Sequence, residues 1–155
     1  MAEVVHMIDS EVFLAYSTYA TIVILKMMLL SLLTTSCQLR RKVSVDHEDT
    51  VFVKSEDDQR KAVRAGPDVE RVRRWHQNDL ENIVSFVLIG LLYALTGPDL
   101  HVALLHFRVF LCSQIVHTVA YMTSLPPPTR TLAFSVGIVC TLSMVYRVLC
   151  TAFYL

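Results

Sequence analysis

Charge is scarce in this chain of 155 residues: Asp, Glu, Lys and Arg supply 18% of it, where soluble domains carry roughly a quarter. What charge there is cancels over the whole chain, 14 basic side chains against 14 acidic. Even the charged segment 40–67 mixes Asp46, Glu48, Asp49, Glu56, Asp57 and Asp58 among its bases, which argues against a nucleic-acid partner. Cysteine is limited to Cys37, Cys112, Cys140 and Cys150, with no C-x-x-C spacing. Reduced packing residues are therefore expected rather than a disulfide framework or a metal site. No internal repeat or low-complexity tract occurs. A basic leader is missing as well: MAEVVHMIDSEVF carries Glu3, Asp9 and Glu11 but no Lys or Arg, unlike a cleavable signal peptide. The first apolar span is expected to direct its own insertion.

What is abundant is apolar length. Hydrophobic residues make up 54% of the chain and its mean hydropathy is +0.47, too apolar for an ordinary soluble domain. Four stretches approach the roughly 20 residues that a helix needs to cross a bilayer. They run from Val12 to Cys37, Leu80 to Leu95, Val102 to Tyr121 and Leu132 to Leu149. With their polar flanks the spans are set at 12–37, 70–95, 102–124 and 130–152 of a single domain, 1–155, with a loop over 38–69. A soluble four-helix bundle would keep a broad charged face on each helix. The first, third and fourth stretches lack one, so the fold class expected is an all-α membrane protein, a bundle of four transmembrane helices.

Basic residues orient it. The loop and its margins hold Arg40, Arg41, Lys42, Lys54, Arg60, Lys61, Arg64, Arg71, Arg73 and Arg74, whereas TGPDLH between the second and third spans holds none. The positive-inside rule puts 38–69 in the cytosol and both termini on the other side. Arg130, beside SLPPPTR, agrees. Gly66 and Pro67 form a turn, with Asp68 as N-cap and Glu70 in the first turn of the helix that follows.

That helix carries ERVRRWHQNDLENIVSF straight into FVLIGLLYALTG. At 100° per residue, Arg71, Arg74, Asn78 and Glu81 share one face, and Glu81 lies about 15 Å along the axis from Arg71, well into the hydrocarbon. A carboxylate at that depth must face protein or trapped water. Asp79 points about 100° away from Asn78 at similar depth and suits a structural ion pair with Lys26 of VILKMML. The stripe itself holds more than pairing requires and suits a small zwitterion, arginines gripping carboxylates and Glu81 accepting from an ammonium. On the third span, Gln114, His117 and Tyr121 share a face. His117 reads as a satisfied interior histidine, Tyr121 as a site or interfacial aromatic, and Arg130 as a headgroup or anion contact. Arg108 and Arg147 read as structural or snorkelling residues.

Taken together, DVERVRRWHQNDLENI, GLLYALTGPD, HFRVF, HTVAY and PPPTR resemble the MAPEG superfamily, in its type-one-like microsomal glutathione transferase branch. The similarity covers essentially the whole chain. It implies a homotrimer of four-helix protomers with glutathione as co-substrate, held between subunits on the cytosolic face. It implies residence in the endoplasmic reticulum membrane, with the mitochondrial outer membrane as a second location. Carried over position by position, it places glutathione contacts at Arg73, Arg74, His76, Asn78, Glu81 and Tyr121, and thiolate stabilisation at Arg130. Gln38, also assigned to the glutathione site, stands where the family has an arginine reaching the neighbour's glutathione. Gln114 replaces another common arginine. Thr50 occupies the place of a cysteine linked to activation by thiol reagents.

The chemistry so implied is conjugation of the glutathione thiolate to hydrophobic electrophiles dissolved in the bilayer, together with reduction of lipid hydroperoxides. A guanidinium near the sulfur favours the charged, nucleophilic form, and Thr131 could add a hydrogen bond. The rivals are a glutathione-dependent prostaglandin-type isomerase, a non-enzymatic lipid-binding relative, and a channel or transporter, for which no broken helices or repeats speak.

Overall fold

A computed structural model describes residues 10–41, 67–123 and 126–154, less the side chains of 34, 37–41, 67–73, 75 and 127. Four helices account for nearly all of them: α1 (Glu11–Arg41), α2 (Pro67–Leu95), α3 (Leu100–Met122) and α4 (Pro127–Phe153). No strand occurs among the described residues. Each helix contains a stretch long and apolar enough to cross a membrane: Glu11–Leu33, His76–Leu95, Leu100–Met122 and Pro128–Phe153.

The helix ends follow local chemistry. The Ser10 hydroxyl accepts the Phe13 N–H at 3.2 Å and caps α1. Asp99 Oδ1 accepts from the N–H groups of His101 and Val102 at 2.9 and 3.2 Å and caps α3. Between α2 and α3, Gly97 sits at φ 63°, the left-handed region a side chain disfavours. α4 is entered through prolines, whose fixed φ is already helical. One expectation shifts: α2 begins at Pro67, so Asp68 falls inside its first turn rather than at the cap. Proline at the first helical position gives up an N–H that would have no partner there.

At 29 residues α2 is about 44 Å long, and α1, at 31, about 46 Å, against a hydrocarbon core of roughly 30 Å. The charged start of α2 and its apolar end are therefore one unbroken helix, with Arg71, Arg73 and Arg74 ahead of the membrane-length stretch that opens at His76.

The chain divides into two compact units, Met1–Leu25 with Leu80–Leu155, and Lys26–Asp79. In the first, α1 contributes Val12, Tyr16, Ala20 and Val23 at spacings of three and four, one buried helical face. Phe86 stacks on Phe110 with centroids 3.8 Å apart and meets Phe107 edge-on at 6.1 Å. Tyr16 reaches across to donate to the Val87 carbonyl at 2.6 Å, and its ring fits only because residue 90 is glycine. A Cβ there would lie 2.9 Å from Tyr16 Cε2. Ile83, Tyr93 and Met144 complete the bulky part of this interior, with small and polar residues between them, while Leu88, Leu105, Ile115, Leu132 and Val139 point outward. That is the arrangement expected in lipid, where apolar side chains gain nothing by leaving the solvent and close contacts hold helices together.

In the second unit, the Lys26 Nζ lies 2.8 Å from both Asp79 carboxylate oxygens, and the Asp79 side chain is fully buried. The ion pair expected from sequence is present, in the form a charge at this depth requires.

Candidate functional site

The end of α3 and the start of α4 bring three rings and one guanidinium together. Thr123 closes α3 by donating its N–H and hydroxyl to the Val119 carbonyl, at 2.9 and 2.6 Å. Arg130 lies in the first turn of α4, and its Cζ sits 4.9 Å from the centroid of the Tyr121 ring, within cation–π range. His117, one turn before Tyr121 and only 3% exposed, meets that ring edge-on at 5.1 Å and leans on Phe134 at 6.0 Å. Its Nδ1 is 3.2 Å from the Arg130 carbonyl oxygen. A carbonyl only accepts, so Nδ1 is the nitrogen that carries the proton. Arg130 is thus held at its main chain by His117 and at its side chain by Tyr121. Tyr121 and Arg130 were expected from sequence as site residues and His117 as an interior histidine, which its burial bears out; its hold on Arg130 was not expected. HTVAY shows the i, i+4 spacing of His117 and Tyr121, but nothing local shows that the turn returns Arg130 to them.

The row expected on α2 lies on one continuous helix. Arg74 and Glu81 are exposed, and His76 and Asn78 are half-buried. His76 Nδ1 is buried with no hydrogen-bond partner among the described residues, a condition that a bound polar ligand would relieve. Gln38 and Arg73 lie outside the described side chains, as do Cys37, Arg40, Arg41 and Arg71. Thr50 lies outside the described residues altogether. Thr131 is exposed on α4.

A second polar group was not anticipated. Asn82, Ser113, Gln114 and Thr141 are all buried around Gly137. A Cβ on Gly137 would come within 3.0 Å of Asn82 Nδ2, 3.1 Å of Gln114 Nε2 and 3.2 Å of Ser113 Oγ. The Asn82 amide also reaches the Phe134 carbonyl at 3.5 Å. These contacts tie α2 and α3 to α4 just inside the Arg130 cluster. Such use of small and amide side chains is how membrane helices are glued together. The family position that Gln114 occupies is therefore interior in this chain. Arg108, read as structural, donates from Nε to the Tyr19 hydroxyl at 3.2 Å.

Four membrane-length helices, a buried ion pair, and an arginine fixed over a tyrosine where α3 turns into α4 define an integral, all-α membrane protein with a polar site at a helix end. Its sequence is 50% identical over 155 residues to the microsomal glutathione S-transferase 1 of Homo sapiens and to that of Rattus norvegicus, covering 100% of each chain. It is 37% identical over 135 residues to a prostaglandin E synthase of Equus caballus, covering 84% of this chain and 83% of the relative. The pattern of the MAPEG family matches residues 16–150, and the chain belongs to that family.

Proposed function

We propose that the protein is a membrane-bound glutathione transferase of the endoplasmic reticulum, its four spans acting as one domain and three copies forming the working assembly. The glutathione site faces the cytosol and draws on Arg73, Arg74, His76, Asn78, Glu81, Tyr121 and Gln38. Arginines take the ligand carboxylates, Glu81 takes its ammonium, and the half-buried His76 and Asn78 supply shorter polar contacts. Arg130 lies against the sulfur. Its fixed positive charge lowers the free energy of the thiolate relative to the thiol, and the thiol proton leaves to water.

The thiolate then attacks an apolar electrophile that arrives through the lipid. With an aryl halide, a carbon–sulfur bond forms and halide departs. With an unsaturated carbonyl, the sulfur adds at the β-carbon and a proton from solvent ends on the α-carbon. With a lipid hydroperoxide, sulfur attacks the O–O bond and the alcohol leaves. A second glutathione then displaces water to give the disulfide, so two thiols are oxidised as one peroxide is reduced. The fold accounts for the pairing of substrates: a polar tripeptide comes from water and an apolar partner from the bilayer.

The observation that carries this reading is the Arg130 guanidinium pinned over Tyr121, in a chain related end to end to named glutathione transferases. Its test is equilibrium binding of glutathione to the detergent-solubilised protein, followed by the ultraviolet difference spectrum of the thiolate. Saturable binding with thiolate formation is expected; binding without any thiolate signal would remove the mechanism. The relationship to a prostaglandin E synthase favours one second reading, isomerisation of an endoperoxide at the same site. Product analysis with that substrate separates the two.

A further inference from the structure

At the opposite end of α3 from Tyr121 and Arg130 lies a cavity of about 210 Å³. Tyr93 and Thr96 at the close of α2, Asp99 before α3, and Arg147 and Thr151 late in α4 form its polar wall. Asp99 and Tyr121 are separated by 22 residues of α3, about 33 Å along its axis, so this cavity is no extension of the Arg130 cluster. On the same measure one water needs roughly 15 Å³, so a single structural water does not fill it.

The wall sorts into donors and acceptors. Tyr93 is 1% exposed, yet its hydroxyl has no hydrogen-bond partner among the described residues. Tyr93, Arg147 and Asp99 all line the cavity, so the phenol shares its wall with one cation and one carboxylate. Arg147 forms no ion pair with Asp99, and its guanidinium makes no hydrogen bond among the described residues. These two are the donors left over. The Thr96 and Thr151 hydroxyls already give their protons to the carbonyls of Tyr93 and Arg147, at 2.7 and 3.0 Å, and retain only the capacity to accept. Asp99 Oδ1 is engaged in capping α3, and Oδ2 makes no hydrogen bond among the described residues. A donor pair, one member of it cationic, therefore faces an acceptor set that includes a carboxylate, and no ion pair joins Arg147 to Asp99 among the described residues.

We propose that this cavity binds a zwitterionic phosphate ester bearing a primary amine, the chemistry of a phosphoethanolamine headgroup, with phosphate oxygens on Tyr93 and Arg147 and the ammonium on Asp99, Thr96 and Thr151. A guanidinium and a phenol are suited to phosphate oxygens, and a primary ammonium offers three donors to three acceptors. The position fits as well. The cavity lies at the turn between two membrane-length helices, which is headgroup depth, and Tyr146, Leu149 and Phe153 on the same end of α4 are exposed where acyl chains and the interface would meet them. The site is independent of the glutathione reading and stands or falls without it.

The test is retention of added lipid by the delipidated full-length protein, read by native mass spectrometry. Dioleoyl phosphatidylethanolamine, phosphatidylglycerol and diacylglycerol are compared, with glycerophosphoethanolamine as soluble competitor. Phosphatidylethanolamine is expected to be retained above the other two. Arg147→Gln should weaken its retention about tenfold, as loss of a charge-assisted hydrogen bond does, and Tyr93→Phe about fivefold. In the lipid-free protein Tyr93→Phe should melt no lower than the parent, because the hydroxyl it removes has no partner; a lower melting temperature overturns the assignment. Displacement by the soluble ester at equal concentration would make a soluble metabolite the ligand, and resistance to it would make a bilayer lipid the ligand. Equal retention of all three lipids, or unchanged retention by both variants, also overturns the site.

Discussion

Arg130 is fixed at both ends, its carbonyl by His117 and its guanidinium by Tyr121. That is what a group intended to hold a developing negative charge needs, since a donor already in place does not have to reorganise when the charge appears. Arg130→Ala is expected to lower conjugation by about 10²–10³-fold, the loss typical of one preorganised stabilising group, while glutathione still binds and the oligomer persists. Steady-state kinetics beside size analysis checks this, and full activity in the variant refutes the thiolate role. Lys26 and Asp79 pose the opposite case, a charge pair serving structure alone. Lys26→Met leaves the Asp79 carboxylate buried without its cation and should destabilise the protein by about 3–5 kcal/mol, whereas the double change Lys26→Met with Asp79→Leu should recover most of that. Reversible unfolding in detergent reads both. This pair was legible in the sequence because a buried charge demands a counter-charge at equal depth. The His117 contact was not, since a neutral imidazole makes no such demand.

At the scale of the helix, polar side chains turn inward where α3 meets its neighbours. α3 turns Ser113, Gln114 and His117 inward and Leu105, Ile115 and Val119 outward. Sequence reading found the spans from apolar length, but it could not say which side of each faced protein, because lipid and protein interior are almost equally apolar. Glycine marks two of the contacts that decide it. Gly90→Ala would press a Cβ against the Tyr16 ring, and Gly137→Ala would press one into the Asn82, Gln114 and Ser113 group, each of which has little room to give. Each change should destabilise by about 1–3 kcal/mol, the usual range for overpacking. Thermal unfolding of the two variants tests this, and no effect at Gly90 would mean that Tyr16 moves freely and is not the wedge described. The continuity of α2 was also open in the sequence, since charged and apolar halves can belong to one helix or two. The helix runs through both because no glycine or proline interrupts Asp68 to Ile89.

For the molecule as a whole, large apolar side chains remain exposed along all four helices, among them Leu25, Leu88, Val119 and Leu142. Lipid and neighbouring copies both satisfy such surfaces, so exposure alone does not count subunits. The proposed assembly makes a definite prediction: native mass spectrometry of the gently solubilised protein should read three chains, and dissociation into single chains should abolish glutathione binding if the site is completed by a neighbour. Monomers that bind glutathione normally would confine the site to one chain.

The sequence by itself determined that the chain crosses a membrane four times, that Lys26 needs Asp79, and that its motifs belong to a known family. Each of those is a property of one segment or one charge, and the bilayer judges it by transfer free energy without reference to the rest of the fold. Only the tertiary structure decided that Arg130 returns to His117 and Tyr121, that Gln114 packs on Gly137, and that Tyr93 and Arg147 line one cavity. Those contacts depend on how each helix is rotated and where it crosses the next. In lipid that choice rests on a few close approaches and hydrogen bonds between residues far apart in the chain, which leave no periodic trace in the sequence.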